Sequence, residues 1–134
     1  MSAGPRELQL DLKKSGQVTL NAAGIGVLQF YPDHANQRWE VDSVVVSTNQ
    51  AATATTVPFV SLALNTVDPA TASPGNAQGS TWNGSSETFT GMIKVGECDF
   101  LAVIFTPPTG AAGAPLAGVI GSAVITGSKY TRRG

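Results

Sequence analysis

The chain has 134 residues, enough for one domain that buries roughly two-thirds of its unfolded surface without a disulfide or metal staple. Charge is sparse and nearly balanced, 8 basic residues against 9 acidic, which argues against nucleic-acid binding because neutralising phosphates takes a basic stripe. The single cysteine, Cys98, has no partner for an internal disulfide, which fits a reducing compartment. It sits between Glu97 and Asp99 at the entry to an apolar run and reads as a buried, unreactive thiol.

Glu7 to Leu12 alternates apolar and polar residues and runs into Lys13-Lys14-Ser15-Gly16, a turn signal. Gln17 to Leu20 and Gly26 to Tyr31 follow as short strands around Asn21-Ala22-Ala23-Gly24, and Pro32 to Asn36 is a loop by residue type. The clearest strand is Gln37 to Ser47, in which Trp39 and Val41 face one side and Arg38, Glu40 and Asp42 the other. Its three consecutive valines break strict alternation and place a bulge or a doubly buried stretch near Ser43. Val57 to Leu64 is the next strand, with Pro58 near its start. Asn65 to Gly84, rich in Asn, Pro, Ser, Gly and Thr, reads as a long surface loop. Glu87 to Ile93 and Asp99 to Thr106 are strands separated by the turn Val95-Gly96-Glu97, and Pro107 to Pro115 is a second loop. The chain closes on Ala117 to Tyr130, where Gly118, Gly121 and Gly127 mark bends or close backbone approach.

No segment carries a 3.6-residue apolar period of helical length, and seven to nine evenly spaced strands indicate an all-β fold, a single antiparallel β-sandwich or jelly roll over residues 7–130. Trp39, Val41, Phe59, Phe89, Phe100, Val103, Phe105 and Val124 are its expected core. Residues 1–6 form a flexible N-terminal arm and 131–134 a basic tail. The first residues contain no apolar core of signal-peptide length and no run reaches membrane-spanning length, so synthesis in the cytoplasm and no membrane partner are expected.

Catalytic chemistry is thinly represented. The one histidine, His34, follows Asp33 in a turn-rich loop and reads as exposed, and no Gly-x-Ser-x-Gly elbow is present. Glu40 with Asp42, and Glu97 with Asp99, are the carboxylate pairs that a glycosidase or a calcium site would require. The first pair lies on a solvent face and the second flanks a turn, so no catalytic residue, metal ligand or cofactor is assigned. Asn83-Gly84-Ser85 has the form of a glycosylation acceptor but reads as a turn. Trp82, beside that turn, is either a platform for a sugar or protein partner or a lid on the core. Between Ser43 and Ile93 only Asp68 and Glu87 are charged, which suits a surface packed against other protein. Self-association, with a trimer as the expected form, or docking to a shell protein follows, with apolar residues in excess of one sandwich face buried by the partner.

Gly16 to Leu20 as an early strand, Gln37 to Val41 as a strand opening, Thr90-Gly91 followed by Val95-Gly96-Glu97, and the glycine-marked strand Gly121 to Tyr130 together resemble the small all-β virion proteins of tailed bacteriophages, especially those infecting actinobacteria. The Asn65 to Gly84 loop departs from that pattern. The resemblance implies a non-enzymatic virion structural protein: a capsid decoration protein whose partner is the phage major capsid protein, or else a tail or receptor-binding accessory. A carbohydrate-binding module using Trp82 and Tyr31 is the alternative of another class. Arg6, Trp82, Arg132 and Arg133 are the residues through which attachment is expected, the arginines pairing with shell carboxylates.

Overall fold

Seven antiparallel strands are present among the residues that the computed structural model describes, 7–49, 58–67, 86–107 and 112–132, with 86–91 described by their backbone alone. They are β1 (Glu7–Thr19), β2 (Gly26–Phe30), β3 (Gln37–Thr48), β4 (Phe59–Leu64), β5 (Ser86–Val95), β6 (Leu101–Thr106) and β7 (Ile120–Arg132). The only helical element among these residues is one 3₁₀ turn, Ala114–Leu116. Each successive strand crosses to the opposite sheet, giving a four-stranded sheet in the order β1-β7-β3-β5 and a three-stranded sheet in the order β2-β6-β4. The ladders β1–β7, β2–β6 and β3–β5 nest inside one another, as in a hairpin rolled up on itself. That arrangement is a jelly roll.

The facing sheets bury one continuous core. From the long sheet come Leu12, Trp39, Val41, Val44, Val46, Ala123 and Ile125; from the short sheet Phe30, Val60, Leu62, Leu101, Val103 and Phe105. The expected core residues Trp39, Val41, Val103 and Phe105 are all fully buried, while Phe59 and Phe100 are half-buried. The side chain of Phe89 lies outside the described residues. Val124 corrects the expectation: it faces outward, opposite Val45, and its neighbours Ala123 and Ile125 point into the core. The apolar run Leu101 to Phe105 is buried on both faces within the single chain, its second face forming a cluster of Ala63, Ala102 and Ile104. No partner is needed to cover it, contrary to the expectation from alternation.

The turn expected at Lys13-Lys14-Ser15-Gly16 does not form. β1 continues through it in unbroken register with β7, from Glu7 opposite Arg132 to Thr19 opposite Ile120. Gly16 is accommodated because β2 packs close at that point; a Cβ there would meet Leu28 at 3.2 Å and the Phe30 ring at 3.4 Å. The chain turns later, at Asn21, whose side-chain oxygen accepts from the backbone N–H of Ala23 and of Ile25, with Gly24 at φ +76°. The bulge expected near Ser43 is present: the register of β3 against both β5 and β7 shifts between Val41 and Ser43. β7 is also longer at its end than expected. Thr131 and Arg132, assigned from sequence to the tail, complete the ladder with Leu8 and Glu7, and Asn36 and the Arg132 backbone exchange hydrogen bonds.

The two sheets differ greatly in length. Strands β1, β3 and β7 have 12 or 13 residues and span about 40 Å, whereas β2, β4 and β6 have 5 or 6 and span about 20 Å. The long sheet therefore overhangs the short one.

Candidate functional site

The outer face of the long sheet divides into a charged half and an uncharged half. In the charged half Arg38 donates to both carboxylate oxygens of Glu7 at 2.9 Å and to Glu40 at 2.9 Å, with its guanidinium carbon 4.2 Å from the centre of the Tyr130 ring. Arg132 forms two hydrogen bonds of 3.1 Å to Glu97. These hydrogen bonds hold the Glu7 and Glu97 carboxyls below the usual carboxylate range, and the Arg38 guanidinium is held still more firmly charged than usual by Glu7 and Glu40. Residues 7, 38, 97 and 132 are far apart in sequence, so no local motif announces the cluster.

Lys13, exposed opposite Thr126, marks the boundary, and beyond it the described side chains of the face carry no charge. β1 contributes exposed Ser15, Gln17 and Thr19; β7 contributes Ser122, Val124 and Thr126; β3 contributes Ser43, Val45 and Ser47, the last six all half-buried. The Ser43 and Thr126 hydroxyls bond to one another at 2.6 Å, so part of this polarity is already satisfied within the sheet. The result is a surface of short, uncharged side chains, which shares with the centre of protein–protein contacts the depletion of charge but not the enrichment in aromatic residues.

A second feature is a shallow cavity of about 150 Å³ lined by Tyr31, Pro32, Asp33, His34, Ala35, Cys98 and Asp99. Tyr31 is 54% exposed and lies 5.3 Å from the Phe100 ring, centre to centre. Both carboxylates here are engaged. Asp33 accepts from Lys14 at 2.6 Å, with Lys129 at 3.9 Å, and is held below its ordinary pKa chiefly by the Lys14 hydrogen bond. Asp99 accepts from Asn65 at 3.0 Å and from the Gly96 N–H at 3.1 Å.

Cys98 is exposed, not buried. It occupies the Gly96–Asp99 turn at φ +67°, a backbone setting that projects the thiol outward before the apolar run begins. His34 is exposed, as expected. Of the carboxylate pairs, Glu40 is engaged by Arg38 and Asp42 is exposed at the bulge, while Glu97 and Asp99 turn to different partners. Neither pair converges on a common point. Among the described residues no three His, Cys, Asp or Glu side chains group as metal ligands. Of the expected attachment residues, Arg132 is built into β7 and committed to Glu97, so binding a shell carboxylate would require exchanging that partner. Arg6, Trp82 and Arg133 lie outside the described residues, as does the Asn65 to Gly84 loop beyond Val67.

The three lowered carboxyl pKa values set a pH dependence. Each group's folded pKa lies below its unfolded value, so its stabilising contribution is complete above about pH 5 and lost as pH falls through the folded values. Thermal melts at pH 3 should give a lower Tm than at pH 6. The triple variant Glu7→Gln, Asp33→Asn, Glu97→Gln should narrow the gap; a gap of unchanged size would assign acid sensitivity to other groups.

No family model and no curated protein matches the chain. Among solved structures, a chain of turnip yellow mosaic virus is 14% identical with a TM-score of 0.45, covering 98% of this chain and 84% of that one. A chain of tomato aspermy virus is 16% identical with a TM-score of 0.41, covering 100% and 81%. A chain of infectious bursal disease virus, Gx strain, is 10% identical with a TM-score of 0.39, covering 98% of this chain but only 42% of its own length. These are loose likenesses.

Proposed function

We propose that this protein is a non-enzymatic structural component of a phage virion, a decoration protein that docks on the outer surface of the major capsid shell and stabilises it. The observation that carries this reading is the uncharged half of the long sheet's outer face, from Ser15, Gln17 and Thr19 across Ser122 and Val124 to Val45 and Ser47. A shell under internal pressure is stabilised by small rigid clamps that bridge neighbouring subunits, and a charge-free face on a jelly roll fits a second protein without burying unpaired charge. The jelly roll is an architecture used by viral shells but also by lectins, so the fold alone does not choose between them.

The test is reconstitution on particles lacking the protein. Val124→Lys places a charge in the middle of the face, and Val124 is already half-solvated, so Tm should move by only a few degrees while particle affinity falls at least about tenfold. Unchanged binding would remove this face as the docking surface. A mass-spectrometric copy number in the hundreds per particle supports the shell, whereas a handful points to a tail accessory. Arg6, Trp82 and Arg133 remain candidate attachment residues within this reading. Exposed Tyr31 at the cavity favours one second reading, a carbohydrate-binding module. Glycan binding that Tyr31→Ala abolishes, with particle binding absent, would replace the first reading.

A further inference from the structure

β1 is an edge strand whose outer side has no strand partner among the described residues, and its two halves differ. Around Gly16 it is packed closely by Leu28 and Phe30 of β2. From Glu7 to Asp11 it lies on the overhang. Leu8 and Leu10 share the inward parity of Leu12, yet they are 40% and 48% exposed where Leu12 is 2% exposed. A free edge is usually protected by charged side chains, a proline, a bulge or an inward-pointing charge. The segment from Glu7 to Lys13 carries Glu7, Asp11 and Lys13 on its outer face. None of the other three protections occurs there, and the register with β7 is unbroken.

We propose that Glu7–Lys13 pairs antiparallel with the same segment of a second copy, about a two-fold axis through Leu10, joining two four-stranded sheets into one of eight. Charge selects this occupant and register. With Leu10 opposite Leu10, Leu8 meets Leu12, Gln9 meets Asp11, and Glu7 meets Lys13 twice. Lys13 and Asp11 are exposed and have no ion pair within the described chain. Glu7, though held by Arg38, keeps acceptor capacity for a second cation. Centring on Gln9 instead sets Glu7 opposite Asp11, and centring on Asp11 sets that residue against itself; like charges directly opposite are destabilising. Centring on Leu12 sets Lys13 opposite Asp11 but puts Lys14 opposite Leu10 and leaves Glu7 facing Gln17 with no cation. Even positions pair with even ones, so Leu8 and Leu10 of both copies gather on the inner face of the joined sheet.

The pairing stands apart from the virion reading, since it is measured on the purified protein without particles. Sedimentation of the full chain should show a concentration-dependent dimer of the 13.7 kDa protomer. Lys13→Glu, which faces Glu7 with a like charge, and Leu10→Lys, which sets two cations on the axis, should each weaken dimerisation at least about tenfold with an unchanged circular dichroism spectrum. In a Cys98→Ser background, Leu10→Cys should cross-link into a covalent dimer on mild oxidation, because directly opposed residues have Cα atoms about 4.5–5.5 Å apart, within disulfide reach. Ser15→Cys should not. A strictly monomeric protein, a trimer by mass, or equal cross-linking at positions 10 and 15 would overturn the two-fold pairing.

Discussion

Trp39→Ala should be among the most destabilising single substitutions in this protein, lowering the unfolding free energy by about 3–5 kcal/mol. The indole is 1% exposed near the start of β3, between Val95 of β5 and Lys129 of β7, so its loss removes a large transfer free energy and leaves a cavity between sheets that cannot close freely. It also has a polar role. Trp39 Nε1 donates to Gln37 Oε1 at 3.0 Å, and the same oxygen accepts from the Asp33 N–H at 2.9 Å. The amide nitrogen of Gln37, itself only 3% exposed, donates to Thr131 Oγ1 at 3.2 Å. Trp39 thus fixes the buried side chain that ties the 32–36 loop to the end of β7. Trp39→Phe keeps most of the volume and loses the Nε1 bond, and should cost only about 1–2 kcal/mol. Urea denaturation with both variants checks this. Since a domain of this size is stabilised by about 5–15 kcal/mol in total, the alanine variant should unfold at a far lower urea concentration. A midpoint close to that of the parent would mean that the facing sheets pack together without the indole.

Gly127→Ala should be among the most damaging substitutions by a single methyl group. A Cβ at Gly127 would lie 2.1 Å from the carbonyl oxygen of Glu40 and 2.9 Å from the Asp42 nitrogen and the Val41 Cα. All three obstacles are backbone, on the neighbouring strand at its bulge, so no side-chain rotation relieves them. The added methyl must separate β3 from β7 at the middle of the sheet, and the cost should reach or exceed the top of the ordinary overpacking range, about 3 kcal/mol. Gly118→Ala is the control. Gly118 has φ +82° but nothing within 4 Å of a Cβ, so only the left-handed backbone penalty applies, about 1–2 kcal/mol. Equal melting temperatures for the two variants would contradict the close approach of strands at Gly127.

Both residues stand out in the amino-acid sequence itself: Trp39 lies in the most regular alternation of the chain, and Gly127 interrupts its last strand. Alternation works here because most strands expose one side, so period and position are written locally. The bulge at Asp42 has a physical cause in the inward residues, which change phase from Trp39 and Val41 to Val44 and Val46, and the run of three valines marks the place without requiring it. The departures from expectation have a common cause in signals that compete or vanish. Ala123-Val124-Ile125 is apolar at every position, so its parity is set by Val44 and Val46 across the ladder, not by its own composition. Lys13 to Gly16 has the residues of a turn, but a thirteen-residue ladder with β7 holds it extended, while Asp33 neutralises the inward Lys14. Cys98 sits next to an apolar run but takes its direction from the turn before it.

The local pattern therefore specifies an all-β chain, most strand limits, much of the core and the exposure of His34. These follow from period-2 burial and turn chemistry over a few residues. It does not specify which sheet each strand joins, that the long sheet overhangs the short one, or that its outer face separates into an ionic half and an uncharged half. Those features arise from ladders joining residues 7 with 132 and 45 with 124, and from the Arg38–Glu7 and Arg132–Glu97 contacts, whose partners are 31 and 35 positions apart. Register over such separations is fixed only when both faces of every strand find their neighbours at once, so the surfaces proposed for shell docking and for pairing are properties of the folded sheet.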